Sequence, residues 1–265
     1  EIVMVEITDI DDERVSHYRS LKFTPKQHTD EKIFIAEGRR VVEKLLKSNL
    51  EIISFFATKE FYDHYKLLIE SHNISEDKKF FASKSLMQEV VGFRIHTGIM
   101  AIARQASNVA INDLSNTIIA VDGVVDSENI GAIIRNVAAF NFDSFIYDKS
   151  STSPYLRRAV RVSMGTVFNV KVSYSDDLLE TLLNLKNMGY SIISAEIAKG
   201  SLALNTYKFS EKKVIVFGNE ANGVSQRILD ASDAIVHIPI NSSVPSINVA
   251  ASSAVFLNFL SNQKD

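Results

Sequence analysis

The side chains of this 265-residue chain that are equipped for chemistry gather in three short runs of its second half. The first is Asp126-Ser127-Glu128-Asn129-Ile130-Gly131-Ala132-Ile133-Ile134-Arg135-Asn136, directly after an apolar segment that ends at Val121-Asp122. Asn129 is a candidate cap for a helix start. Gly131 admits another backbone at close range. Arg135 lies between Ile134 and Val137, near an apolar stripe, where a guanidinium wants an anionic partner. A capped amphipathic helix with a solvated Arg is the plainer reading of the same residues. The second run is Phe217-Gly218-Asn219-Glu220-Ala221-Asn222-Gly223-Val224-Ser225. Gly218 and Gly223 have the spacing of a phosphate-binding loop, but Val224 stands where its lysine belongs, which argues against a nucleotide triphosphatase. What remains is a glycine-rich turn with one acid, Glu220, at the end of a strand, or simply the turn that opens a helix. The third run is Ile238-Pro239-Ile240 and then Val244-Pro245-Ser246-Ile247-Asn248-Val249-Ala250-Ala251-Ser252. Its small residues permit close packing against a backbone or a ligand, and Ser246 is a candidate helix cap.

The elements that must position these runs alternate regularly. Thr117–Val121 reads as a strand from its β-branched content, and Asn129–Phe140 as a helix with Ile130, Ile133, Ile134 and Val137 on one stripe. Ser144–Tyr147 reads as a strand, Pro154–Ser163 as a short helix and Val167–Val172 as a strand. Leu178–Met188 reads as a helix closed by Gly189. Ile192–Ala195, Val214–Phe217 and Ala234–Ile238 are further strands, and Ser246–Leu260 a final helix. Such alternation implies an α/β fold whose parallel sheet is covered on both faces, and ligands of such sheets bind beyond the carboxyl ends of the strands. The first hundred residues hold α/β elements of a smaller unit: strands at Phe34–Ala36, Ile52–Ala57 and Ile99–Ala103, and helices at Arg39–Leu46 and Glu60–Ser71. The polar run Gln105–Asn116 is the linker candidate.

Composition excludes several classes. Hydrophobic residues make up 46% and charged residues 23%, a balance that supports a sizeable core. Cysteine is absent, which removes disulfide scaffolds, thiolate metal sites and thiol nucleophiles together. Five of the six histidines (17, 28, 64, 72, 96) precede residue 111 without metal-ligand spacing, so no metal is expected. The opening EIVMVEITDIDDER carries acids where a signal peptide needs a basic segment, and no stretch approaches the roughly 20 apolar residues of a membrane helix. The expected setting is the cytoplasm, away from membranes, with Met4 a candidate initiator after Glu1–Val3. Residues 1–110 hold 16 Lys+Arg against 17 Asp+Glu, and residues 111–265 hold 13 against 15. Neither half is basic, so any polyanion must meet a local patch. Two candidate patches stand out: Arg157, Arg158 and Arg161 after Pro154, and Arg39, Arg40 and Lys44 in the first part. A solvated helix face accounts for either equally well.

NIGAIIR (Asn129–Arg135), FGNEANGVS (Phe217–Ser225) and IPINSSVPSINVAAS (Ile238–Ser252), in this order, closely resemble the three signature motifs of the SpoU, or TrmH-like, RNA ribose methyltransferases of the SPOUT superfamily. The resemblance spans residues 117–260, and the three motifs together are far more specific than any one. It implies a SPOUT methyltransferase domain over residues 117–265 with a C-terminal trefoil knot, binding S-adenosylmethionine and working as a homodimer. FIAEGRRVVEKLL (Phe34–Leu46) is similar to the opening of the family's frequent ribosomal-protein-L30e-like, RNA-binding domain, which implies such a domain over residues 1–105, with 106–116 as linker. By the same resemblance Arg135, Asn129, Glu220, Ser246 and Asn248 are the catalytic candidates. Ala195, Glu196, Phe217, Gly218, Asn219, Ile238, Pro239, Ser246, Ile247 and Asn248 are the cofactor contacts. Ile247 replaces a common leucine, and Ser242–Pro245 replaces a turn that often contains glycine.

The implied reaction is methylation of a ribose 2′-hydroxyl in structured ribosomal or transfer RNA. Its hard step is deprotonating that hydroxyl, and Arg135, a poor base by residue type, acts there either as a stabiliser of the alkoxide or as a base adjusted by its surroundings. The alternative is a non-catalytic RNA- or ribosome-binding assembly factor that keeps the fold. Retention of Asn129, Arg135, Glu220, Ser246 and Asn248 counts against it. A nicotinamide-dependent oxidoreductase is disfavoured, since no G-x-G-x-x-G opens the alternation.

Overall fold

The structure, a computed structural model, describes residues 3–263. Glu1 and Ile2, ahead of the candidate initiator, lie outside the described residues. In chain order the strands are β1 (Val5–Glu6), β2 (Ile33–Glu37), β3 (Ile52–Ala57), β4 (Lys79–Phe81), β5 (Ile99–Arg104), β6 (Thr117–Asp122), β7 (Ser144–Asp148), β8 (Lys171–Ser175), β9 (Ser191–Ala195), β10 (Leu202–Ala203), β11 (Lys213–Gly218) and β12 (Ala234–His237). The helices are α1 (Lys26–Asp30), α2 (Arg39–Leu46), α3 (Lys59–Glu70), α4 (Lys84–Val91), α5 (Ser127–Ala139), α6 (Arg157–Val162), α7 (Leu178–Asn187), α8 (Gln226–Ala231) and α9 (Val249–Ser261). They form two compact units. One runs up to Ala106 and includes Tyr155–Phe168; the other comprises Ser107–Pro154 and the chain from Asn169 onward.

The first unit is built on a sheet of order β1-β4-β3-β5-β2, in which β5 runs antiparallel to β2 and β3 and the remaining pairs are parallel. Every residue of β2 is buried. Val41, Val42, Leu45 and Leu46 form the buried stripe of α2 that their spacing predicts. Tyr18, fully inside, satisfies its hydroxyl on Ser54 Oγ at 2.8 Å.

One boundary differs from the sequence expectation. The segment 155–168, expected within the domain starting at 117, belongs to the first unit, where α6 packs on β2. The expected strand Val167–Val172 is likewise not formed as such. Met164 (φ 54) and Gly165 (φ 76) reverse the chain, Thr166–Asn169 makes a single 3-10 turn, and the strand begins only at Lys171. The cause is packing. Phe168 folds back so closely on Gly165 that a Cβ there would lie 2.9 Å from its ring, and the same ring packs on Phe34 with centroids 5.4 Å apart. Its apolar character thus serves the first unit's core rather than a sheet.

The second unit carries a seven-stranded sheet of order β10-β12-β9-β11-β6-β7-β8, all of it parallel. The buried runs of β6, β9 and β11 are the continuous apolar stretches expected of a sheet covered on both faces. The chain builds outward from β6 through β7 to β8, then returns to the other side of β6. The strand order therefore reverses beside β6 and β11, the place where open parallel sheets bind ligands. The expected linker 106–116 is docked structure from Ser107 on. Val109 N donates to Val172 O at 3.0 Å, and Leu114 is buried in the cluster with Leu178 and Leu182. Its three apolar residues, Val109, Ile111 and Leu114, overrode the polar composition.

Candidate active site

β6 and β11 pair in register, with Gly218 opposite Asp122, so the loops that follow them leave the sheet side by side. Asp122 Oδ2 accepts from Ser225 N at 2.7 Å, and Asn219 Nδ2 donates to Gly123 O at 2.7 Å. Asn219 also curls its own loop, its Oδ1 accepting from Ala221 N and Asn222 N at 2.9 and 3.0 Å. The two glycines whose spacing imitates a phosphate loop have a steric task here. A Cβ on Gly218 would fall 2.1 Å from Gly223 C and Val224 N, and one on Gly223 would fall 2.1 Å from Glu196 Oε2. They let the turn close upon itself.

Inside this frame the three motifs meet through side chains. Glu220 accepts from Val125 N at 3.3 Å, Asp126 N at 3.1 Å and Asn129 Nδ2 at 3.0 Å. Asn129 Oδ1 accepts from Asn248 Nδ2 at 2.9 Å, and Asn248 Oδ1 accepts from Ala250 N and Ala251 N at 2.9 and 3.1 Å. Partial burial pushes the Glu220 carboxyl upward, but the Asn129 amide and the backbone N–H groups outweigh it and hold it below its ordinary value. The carboxylate is thus kept ionised. Two expected caps are reassigned. Asp126 caps α5, accepting from Glu128 N at 2.8 Å, and this leaves Asn129, one turn in and buried, to bridge Glu220 and Asn248. Asn248, rather than Ser246, caps α9. Asn136, seven residues after Asn129, extends the seam by donating to Ala250 O and Ser253 Oγ at 2.9 and 3.0 Å.

A cavity of about 490 Å³ opens at the carboxyl ends of β9, β11 and β12. All the expected cofactor contacts line it except Pro239. Sequence reasoning did not assign Ile197, Ala221, Asn222, Gly223, Val236, His237, Ile240, Val249, Ser252 and Phe256 to the cofactor; with Glu220 they complete the cavity wall. Ile197, Val236, His237 and Ile240 lie in or just beyond strand ends already singled out, whereas Val249 and Phe256 come from α9. Glu196 turns its carboxylate onto backbone, accepting from Val224 N and Ile197 N, both at 3.0 Å. Neither Lys nor Arg lines the cavity, whereas the carboxylates of Glu196 and Glu220 do.

The geometry has clear relatives. Residues 116–258, more than half of the chain, match the SpoU rRNA Methylase family. The chain belongs to the SpoU rRNA methylase family. An uncharacterized tRNA/rRNA methyltransferase of Mycobacterium bovis is 28% identical over 264 residues, covering 94% of this chain and 89% of the relative. A 23S rRNA (guanosine-2′-O-)-methyltransferase of Acinetobacter baylyi is 26% identical, covering 83% of this chain and 93% of its own. The fold of the AdoMet-bound rRNA methyltransferase of Sinorhizobium meliloti is similar, with a TM-score of 0.84 at 22% identity over 97% of both chains. That of the SpoU methyltransferase AviRb from Streptomyces viridochromogenes, in complex with AdoMet, is similar as well, with a TM-score of 0.82 at 16% identity over 95% of this chain and 98% of that one.

Other expected residues of this SpoU-family chain fare differently. Arg135 is exposed, lines no part of the cavity and has no side-chain partner among the described residues. The anionic partner is therefore not found among the described residues: Arg135 lies on the side of α5 away from the buried arc of Ile130, Ile133, Ile134 and Val137. Ser246 is exposed and lines the cavity. Of the basic candidates, all in the first unit, Arg157 is committed to structure. Its guanidinium bonds buried Glu37 and lies 4.3 Å from the Phe93 ring centroid. Arg39 donates to the Tyr65 hydroxyl at 3.1 Å, and that hydroxyl donates to Glu43 at 3.3 Å. The side chains of Arg40, Lys44 and Arg161 have no such partner among the described residues, while Arg158 is exposed and engaged. No group of three or more His, Asp or Glu is placed to hold a metal ion, and no helix is long and apolar enough to cross a membrane, among the described residues.

Proposed function

We propose that this SpoU-family chain transfers the methyl group of S-adenosylmethionine to a ribose 2′-hydroxyl of a structured RNA, and that the RNA is ribosomal. The observation that carries the reading is the cavity at the strand ends, closed by the Glu220–Asn129–Asn248 chain that ties the three motifs together. The relative that methylates a guanosine 2′-hydroxyl in 23S rRNA supports the choice of ribose and of ribosomal RNA.

The residues present fit the cofactor. The cavity volume of about 490 Å³ lies within the roughly 300–1,000 Å³ of small-molecule sites. A lining without Lys or Arg and with two carboxylates suits a cationic sulfonium. When bound, S-adenosylmethionine supplies an activated methyl group. The chain's own residues do the rest. Ala195, Glu196, Phe217, Gly218, Asn219, Ile238, Ile247 and Asn248 hold the cofactor, while Asn129 and Glu220 fix the loops around it. Arg135, unpartnered among the described residues, is available to the RNA, where it stabilises negative charge developing on the ribose oxygen. A guanidinium, with donors only, suits this better than proton abstraction. Ser246, exposed at the rim, adds a hydroxyl. Arg40, Lys44 and Arg161 contact RNA phosphates. The first unit acts as the L30e-like RNA-binding domain, the segment from β11 through α9 forms the family's trefoil knot, and the active form is a homodimer packed partly through the exposed side of α9 at Ala251 and Val255.

Three experiments test this. Calorimetric titration with S-adenosylhomocysteine should show binding; none sinks the cofactor assignment. Arg135→Ala should abolish transfer with cofactor affinity nearly unchanged, and Arg135→Lys should fail too, because a point charge does not reproduce the planar fork. Full turnover in either variant removes the role. Ribose-methylation mapping in a strain lacking the chain should show loss of one ribosomal mark, and loss confined to transfer RNA refutes the ribosomal target.

A further inference from the structure

The turn Gly123–Asp126, which delivers α5, is held from two sides, and Glu220 accounts for one. Glu220 takes the N–H groups of Val125 and Asp126. The other side is Asp148–Thr152, a segment outside the three motifs and outside the cavity, at the carboxyl end of β7. Asp148 is 6% exposed. Its Oδ1 accepts from Gly123 N at 3.0 Å and from the Ser151 hydroxyl, and its Oδ2 accepts from Ser150 N at 3.1 Å. Ser151 Oγ in turn accepts from Val124 N at 2.9 Å. Thr152 closes the clamp, its N donating to Val124 O at 2.9 Å and its Oγ1 to Val125 O at 2.6 Å.

Besides these and the Asn219 amide on Gly123 O, the turn has little to fix it. Gly123 adopts φ 68 without a Cβ, and Val125 is 58% exposed, so apolar packing anchors the turn only at buried Val124. A buried carboxylate that ties the Gly123 N–H of this turn to Ser150 N and the Ser151 hydroxyl of its own segment is costly to remove and rigid while in place. We propose that Asp148, Ser151 and Thr152 are positioning residues for methyl transfer. They fix the Gly123–Asp126 turn so that its last two N–H groups and the first turn of α5 keep Glu220 and Asn129 in their bonded geometry. The inference rests on the function proposed above. Misplacement of a reacting group by about 1 Å costs up to about a hundredfold in rate, so such a clamp has a kinetic signature.

Ser151→Ala in the full-length chain tests it by two independent readouts. Amide hydrogen exchange should quicken about tenfold not only at Val124, which loses its acceptor, but also at Val125 and Asp126, whose acceptor Glu220 is untouched. Quickening confined to Val124 overturns the proposal. With unmodified ribosomal RNA transcribed in vitro and labelled S-adenosylmethionine, kcat should fall about tenfold with the cofactor KM unchanged, and Ser151→Thr should restore most of it. In the double variant with Glu220→Gln, kcat should stay within about twofold of the worse single variant, because both act on the same turn. Effects that multiply, or a lowered Tm with unchanged kcat, overturn the proposal. If the wild-type chain methylates no RNA, the functional reading fails, and the exchange measurement still decides whether the clamp positions the turn.

Discussion

In the first unit the notable polar contacts serve helix faces and the sheet's own packing. Arg157 neutralises Glu37 on buried β2, Lys47 pairs with Glu43 one turn away on the same helix, and Arg39 and Tyr65 join α2 to α3. In the second unit the notable contacts run between loops far apart in sequence and end on backbone N–H groups. Glu220 and Asn129 stand 91 residues apart, and Asn248 and Asn129 stand 119 apart. The difference teaches where sequence constraint concentrates. A helix-face pair tolerates many substitutions, since surface ion pairs contribute little. A carboxylate that must satisfy two backbone N–H groups and one amide at once tolerates almost none.

The largest effect should come from the Arg157–Glu37 pair of the first unit, whose carboxylate is buried. Arg157→Ala leaves Glu37, 5% exposed, as an unpaired buried charge and should destabilise the chain by about 3–5 kcal/mol in urea unfolding. A cost below about 1 kcal/mol would place this pair with the ordinary surface contacts and blur the contrast. Gly218→Ala should come next, with about 1–3 kcal/mol lost because backbone atoms at 2.1 Å have nowhere to move, and with cofactor binding abolished. Normal calorimetric binding by that variant would show the loop of the second unit to be softer than its contacts indicate.

Acid should separate the two units. His28 is buried in the first unit beside His17, with ring centroids 5.6 Å apart. Burial first, then the neighbouring imidazole, holds its pKa below the ordinary 6.5. The unfolded chain then binds the proton more readily than the folded one. Stability is full above pH 6.5 and declines as pH falls from there toward the folded value. Glu220, held below 4.5, contributes stability that is present above pH 4.5 and is lost only on further acidification. Thermal melts from pH 8 to 5 should therefore decline in the wild type and flatten in His28→Leu; equal slopes in the two would remove His28 as the cause. The smallest stability effect belongs to Arg161→Ala. It should change stability by no more than about 0.5 kcal/mol while weakening RNA binding and lowering its salt slope by about one. A large unfolding change there would mean that this exposed cation is structural after all.

How much was legible follows the same contrast. Strands β6, β7, β9, β11 and β12 of the second unit were readable as apolar runs, whereas β8 was placed four residues early and β10 went unread. The unit's site residues were readable because their types are dictated by demands that few other residues meet. Asn129, Glu220 and Asn248 were all marked for the site, yet the sequence alone offered only capping as a task for Asn129, and Asp126 performs that one. Arg135 illustrates the opposite limit. Its neighbours in sequence suggested an anionic partner, but helical periodicity turns it outward, as the plainer reading had it. In the first unit β1 and β4 went unread because two or three strand residues carry too little periodicity, and α4 because its three buried residues, Met87, Val90 and Val91, make a weaker stripe than the four of the equally long α2.

The amino-acid sequence by itself determined the alternation of elements, the absence of thiol chemistry and the three runs that meet at the site, because each follows from residue type and local spacing. Only the tertiary structure decided which residues serve which partner. Phe168 went to the core of the first unit, Arg157 to Glu37, Asn129 to a bridge, and Asp148 to a turn 25 residues earlier in the chain. Those choices are set by which strand ends the sheet order brings together. That order is a property of non-local pairing, which no window along the chain contains.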